Sequence, residues 1–317
     1  MVAYSYDPEL AAALPLLPIG GIEDLTAERV RLDEMVAGLS TTIDEASLEI
    51  EDHSVAGHDG DPAVGVRVFR SRRAIGTVPA LLYIHGGGFV AGNILSEQDN
   101  AATLASTLDI VVVSVEYRLA PEHPFPAGLH DAFAALQWLC QQAHELGVDP
   151  ARVGVYGQSA GGGLAAALAL FSRDHGGPPL CFQFLAIPEL DDRLETQSMR
   201  TFVDTPQWNR PSAELSWGYY LGSVATGDVS PYAAPARAQD LRDLPSAYVS
   251  TMEFDPLRDE GILYALALLG AGVSVELHSY PGTFHGSSMV TTAGISQRIA
   301  NEQMHVLRRA LGITASD

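Results

Sequence analysis

The sequence predicts an α/β fold, a mostly parallel sheet with helices on both faces. Three observations predict it. Short β-branched or apolar runs alternate with longer stretches of helical periodicity. The chain of 317 residues is 47% hydrophobic and 18% charged, a globular composition with enough apolar material for a sizeable core. No internal repeat or low-complexity linker interrupts the alternation.

The strand candidates are Val64 to Phe69, Ala80 to Ile84, Ile110 to Val115, Val153 to Tyr156, Cys181 to Ile187, Ser246 to Thr251 and Val273 to His278. A further run near Val55 is separated from Val64 by the turn-like HDGDP, which predicts an antiparallel hairpin at the sheet edge. The helix candidates are Glu97 to Leu108, Leu129 to Leu146, Ala160 to Arg173, Arg258 to Leu269 and Gln297 to Leu311. Two stretches break the rhythm. Residues 1–45 read as helices with no strand between them, and 188–245 hold short helical pieces and many aromatics. The expected organisation is an N-terminal cap segment (1–45), a first core part (46–187), a cap insertion (188–245) and a second core part (246–317).

Composition narrows the partners. A formal net charge of −21 repels phosphate backbones and anionic lipid heads, so neither nucleic acid nor membrane is expected. No apolar run approaches the roughly 20 residues needed to span a bilayer. The first residues lack the basic segment of a secretory signal. Cys140 and Cys181 read as buried free thiols. A cytoplasmic protein is the expectation.

Gly157-Gln158-Ser159-Ala160-Gly161 matches G-x-S-x-G between a strand run and a helix. That arrangement puts a serine on a tight turn with its Oγ protruding, and small neighbours let strand and helix approach. His85-Gly86-Gly87-Gly88 follows another strand run. Acyl transfer builds negative charge on a carbonyl oxygen, and a glycine run presents bare amides to it. Gly86 and Gly87, with the amide of Ala160, are expected to form the oxyanion hole. His85 is expected to brace this loop, because in such a site the acid and then the base follow the serine in the chain.

Four histidines follow Ser159. His175 lies in a His-Gly-Gly-Pro-Pro loop, His278 inside a strand run and His305 on the last helix. His285 lies beyond the last strand run, in Tyr280-Pro281-Gly282-Thr283-Phe284-His285-Gly286, where parallel sheets place their chemistry. Asp255 follows a strand run as the acid candidate, with Asp191 and Asp192 as rivals. Asp259 suits a first helical turn, and Glu253 is placed to support the acid loop.

These pieces, with Tyr117-Arg118-Leu119-Ala120-Pro121-Glu122-His123-Pro124-Phe125-Pro126-Ala127 and Asp255-Pro256-Leu257-Arg258-Asp259, resemble the hormone-sensitive lipase family of α/β-hydrolases, in its bacterial esterase branch. They run in the family's order over roughly residues 80 to 290. The resemblance implies an eight-stranded core with a helical cap, Ser159, Asp255 and His285 as catalytic triad, and carboxylester hydrolysis with no cofactor or metal. Gln158 departs from it, since the family usually has Asp or Thr before the serine.

The expected activity is that of a serine carboxylesterase acting on short- to medium-chain soluble esters through an acyl-enzyme. The aromatics Phe202, Trp208, Trp217, Tyr219 and Tyr220 in the cap stretch motivate the chain-length limit. An amidase or acyltransferase using the same residues, and a non-catalytic ligand receptor of this fold, are the alternatives. The expected partner is a small-molecule ester, and a homodimer is left open. A histidine base works only when neutral. Activity is therefore predicted to fall on acidification through roughly pH 6 to 7, where histidine titrates. A kcat/KM that stays flat down to about pH 4 overturns a histidine base.

Overall fold

The apolar runs become the strands of one sheet. The computed structural model describes residues 4–17, 21–38, 43, 44, 46–226 and 228–313. The strands are β1 (Leu48–Val55), β2 (Val64–Ser71), β3 (Val78–Ile84), β4 (Val111–Glu116), β5 (Val148–Gln158), β6 (Phe182–Ala186), β7 (Ser246–Phe254) and β8 (Val275–Phe284). The helices among the described residues are α1 (Pro8–Ala13), α2 (Leu25–Gly38), α3 (Gln98–Leu108), α4 (Ala127–Gln141), α5 (Ala160–Asp174), α6 (Gln197–Thr201), α7 (Arg210–Leu221), α8 (Arg258–Gly270) and α9 (Gly294–Ala310). Parts of the expected cap and C-terminal segments, at 1–3, 18–20, 39–42, 45, 227 and 314–317, lie outside the described residues.

The sheet runs β1-β2-β4-β3-β5-β6-β7-β8. β1 and β2 form the expected hairpin, with Val55 paired to Val64. β2 is antiparallel to β4, and every pair from β4 to β8 is parallel. Parallel strands with helical crossovers must bury both faces. One face carries the α4 and α5 residues Leu129, Leu136, Leu164 and Leu168 against Leu82, Val113, Val155 and Val249. The other carries Leu104 and Leu108 of α3 and Leu307 of α9 against Leu81, Phe184 and Tyr248. On that second face Tyr83, Tyr156, Phe184 and Tyr248 stack across four neighbouring strands, with centroids 4.5–4.9 Å apart.

β8 and β7 outrun their apolar signals at their carboxyl ends. β8 continues through Tyr280-Pro281-Gly282-Thr283, a segment that reads as a loop. Proline lacks an N–H, yet β8 is the edge strand, where that loss costs no ladder bond. β7 likewise continues through Glu253 to Phe254, and after a register shift Phe254 pairs with Phe284. The residues that follow, Asp255 and His285, are thereby set side by side. α4 ends at Gln141 rather than Leu146, and the chain turns directly into β5 at Val148.

The motif around Tyr117 holds the core together by charge. Arg118 forms a forked pair with the buried Asp131 of α4, with contacts of 2.8–3.0 Å, and reaches Asp61 at 3.0 Å. A buried carboxylate needs such a partner, and a guanidinium matches its geometry. α2 is tied down in the same way. Arg29 donates to the carbonyls of Val90 and Ala120 and to both oxygens of Glu122. This clamp seats the N-terminal segment over the carboxyl ends of β3 and β4.

Candidate active site

Ser159 is the first residue after β5, and α5 starts immediately behind it. Its backbone is strained, with φ 56° and ψ −123°, a region that side-chain-bearing residues rarely occupy. Surrounding hydrogen bonds hold it there. Its N–H donates to Ala186 O at 2.9 Å, and its carbonyl accepts from the N–H groups of Gly163 and Glu189, both at 3.1 Å. The motif's glycines are required by close approach. A Cβ on Gly157 would lie 2.0 Å from Gly161 O, and one on Gly161 would lie 2.1 Å from Ile84 O.

Ser159 Oγ lies 2.9 Å from His285 Nε2, and His285 Nδ1 lies 2.8 Å from Asp255 Oδ2. Asp255 Oδ1 also accepts the Leu257 N–H at 2.9 Å, which fixes the carboxylate plane. All three residues are buried, and Ser159 and His285 line a cleft of about 210 Å³. The rival histidines lie elsewhere. His175 stacks on Phe171, His278 is held by Glu276 and Tyr280, and His305 is exposed. The rival acids each hold an arginine, Asp191 with Arg193 and Asp192 with Arg237, at 2.7 and 2.6 Å.

Supporting residues fall where their chemistry directs them. Glu253 Oε2 accepts the Gly282 N–H at 2.7 Å and braces the segment leading to His285. Asp259 sits in the first turn of α8, but its carboxylate reaches Ser198 N at 2.7 Å and ties α6 to the core. His85 is buried, stacks on Tyr117 at 4.2 Å, and its Nδ1 meets Gly86 O at 2.7 Å. Burial pushes its imidazole down to about 4, so it stays neutral and braces the glycine loop. Burial, with Asp255's charge adding to it, pushes Glu189 up to about 8. That keeps this buried carboxyl protonated near neutral pH.

In the glycine loop the Gly86 amide, expected as a hole donor, already has a partner. The Gly86 N–H does not face the nucleophile, because it donates to Glu97 Oε1 at 2.9 Å. A donor so occupied is unavailable to an oxyanion. Gly86, Gly87 and Gly88 all line the cleft beside Ser159. Gly87 has φ 114°, and a Cβ there would lie 2.0 Å from Ala91 O, so only glycine fits. Ala160 opens α5, so its N–H has no partner within the helix. Trp208, one of the aromatics expected to limit the pocket, closes the cleft against Gly88 and His285, whereas Glu97 carries no local sequence signal for its place.

A family model for the alpha/beta hydrolase fold matches residues 81–289. The chain belongs to the α/β-hydrolase family, in its hormone-sensitive-lipase-like branch of bacterial carboxylesterases. The carboxylesterase NlhH of Mycobacterium tuberculosis is 42% identical over 242 residues, covering 75% of each chain. A solved bacterial heroin esterase is 54% identical with a TM-score of 0.92, covering 97% of this chain and 98% of its own. The esterase LipW of Mycobacterium marinum is 38% identical with a TM-score of 0.87, covering 96% of each.

Asp255→Asn is predicted to keep the fold and lose about 10⁴ in kcat, because a neutral amide favours the wrong imidazole tautomer. The double variant Asp191→Asn/Asp192→Asn, measured beside it at pH 7 to 8, is predicted to stay within about tenfold of the parent. Collapse of the double variant with an unaffected Asp255→Asn reverses the assignment of the acid.

Proposed function

We propose that the chain hydrolyses short- to medium-chain soluble esters through an acyl-enzyme on Ser159. The observation that carries this reading is the unbroken hydrogen-bonded series Ser159–His285–Asp255 beside the glycine loop that lines the cleft. His285 Nε2 takes the serine proton as Oγ attacks the ester carbonyl. Asp255 holds the Nδ1 proton and stabilises the imidazolium. The amides of Gly87, Gly88 and Ala160 receive the oxyanion. His285 then protonates the leaving alcohol, and water repeats the sequence on the acyl-enzyme. Ile22 and Leu32 from the N-terminal segment and Gln207 and Trp208 from the 188–245 stretch line the cleft, which supports reading these segments as a cap over the site.

Trp208 supports the limit on chain length. Its ring is buried at the cleft, 5.8 Å from the His285 ring, and a Cβ on Gly88 would come within 2.6 Å of it. Relatives named as a carboxylesterase and a heroin esterase support a small-molecule ester as substrate. Cytoplasmic residence fits the two free cysteines, whose thiols burial pushes up to about 11 and so makes poor nucleophiles. Among the described residues no helix is long and apolar enough to cross a membrane.

A homodimer is part of the same proposal. α8 exposes Leu263, Leu266 and Leu269 at 56%, 53% and 48%, a stripe three residues apart. It packs beside β8, whose outer edge has no strand partner in the sheet. A two-fold axis through Leu277 would pair β8 with its copy antiparallel, bring the leucine stripes together, and set Glu276 opposite His278 of the second copy.

On p-nitrophenyl esters of rising length, kcat/KM is predicted to be highest for short acyl groups and at least about tenfold lower beyond roughly C8. Amide analogues are predicted to react far more slowly than the esters, and activation on long-chain triglyceride emulsions overturns the reading. In light scattering the parent is predicted to be a dimer, and Leu263→Glu/Leu266→Glu a folded monomer. A parent that remains monomeric at tens of micromolar removes the interface.

A further inference from the structure

Glu97 is a cleft carboxylate that the chemistry of ester hydrolysis does not call for. Glu97 immediately precedes α3 and lines the cleft with Ser159. One oxygen takes the Gly86 N–H at 2.9 Å, and the other accepts from the Tyr83 hydroxyl. Tyr83 is buried, stacked on Tyr156, and its oxygen accepts from Asn100 Nδ2 at 2.8 Å. A Cβ on Gly86 would lie 3.3 Å from Glu97 Oε1 and 3.5 Å from Ser159 Cβ. The carboxyl and the nucleophile therefore flank the same glycine.

A negative charge there opposes the reaction, since the oxyanion develops beside it. The hydrogen bonding explains why it is tolerated. Gly87 and Gly88 have φ 114° and 59°, and the loop has no side chain at these positions to hold its peptide planes. If the Gly86 N–H had no acceptor, burial would draw it toward any polar atom within reach, and the following amides would swing with it. We infer that Glu97 is the positioning residue of the oxyanion loop, which by holding the Gly86 N–H aims those of Gly87 and Gly88 at Ser159. It acts as a hydrogen-bond acceptor and not as a charge. In keeping with that, burial raises its carboxyl above the usual range against the pull of its two hydrogen bonds.

This inference rests on the proposed site, and the experiment separates the two. Ser159→Ala tests the site: retained turnover refutes the nucleophile whatever Glu97 does. With Ser159 intact, Glu97→Ala is expected to lower kcat on p-nitrophenyl acetate by about 10- to 100-fold, part of the loss seen when one hole donor is removed. KM should change by less than about threefold, and Glu97→Gln, which keeps an acceptor for Gly86 without the charge, should recover kcat to within about threefold of the parent. A raised KM with unchanged kcat makes Glu97 a substrate-binding group and overturns the inference. So does a Glu97→Gln variant as impaired as Glu97→Ala, which would mean that the charge matters. Should Glu97→Ala not fold, Tyr83→Phe removes the brace while keeping the stacked ring. A lowered kcat at constant KM is then expected, and an unchanged kcat overturns the inference.

Discussion

The strained turn at Ser159 is the constraint on which the rest depends. A residue with φ 56° and ψ −123° persists only if its surroundings over-determine it. They do so by bringing α5 against the ends of β3 and β5, so close that Gly157 and Gly161 have no room for a Cβ. The hydrogen bonds from Ser159 N to Ala186 O and from Glu189 N to Ser159 O anchor the same turn to the chain beyond β6. The strain is thus stabilised by the packing of the whole central sheet. It leaves Oγ as the atom that projects into the cleft.

From that point the parallel sheet does the positioning. Ser159, Asp255 and His285 are each the first residue beyond a strand, on β5, β7 and β8. Parallel strands end on one side, so residues far apart in the chain converge there. The pairing of Phe254 with Phe284 sets the last two side by side. Glu253, holding Gly282 N, keeps the longer strand end from drifting. The segments that carry α2 and α6 are attached through separate devices. Arg29 grips the carbonyls of Val90 and Ala120, and Asp259 takes Ser198 N. Trp208 then fills the space between the glycine loop and His285. On the proposed reading these contacts limit substrate size, while Ser159, Asp255 and His285 stay at the ends of sheet strands.

Where sequence and structure part, the cause is a contact that local pattern does not encode. Pro281 and Gly282 read as a loop because both break central strands, but at an edge neither is penalised. Gly86 reads as a hole donor because any glycine amide in such a run is equally bare. Its N–H is taken by Glu97, eleven residues on, through a geometry that only the fold creates. Asp191 and Asp192 follow a strand as Asp255 does, and only the distance to His285 Nδ1 and their own arginine partners separate them.

By itself the sequence determined the alternation of strands and helices, the hairpin at the edge, the serine elbow, the glycine loop and the position of the last histidine. Each is written locally, as a period, a turn or a run of small residues within a few positions. The tertiary structure alone decided that the Gly86 N–H meets Glu97, how far β7 and β8 extend, and what closes the cleft. It also decided that the leucines of α8 face outward. Those outcomes depend on which atoms of distant segments come within hydrogen-bond or van der Waals reach, and a one-dimensional pattern carries no such distances.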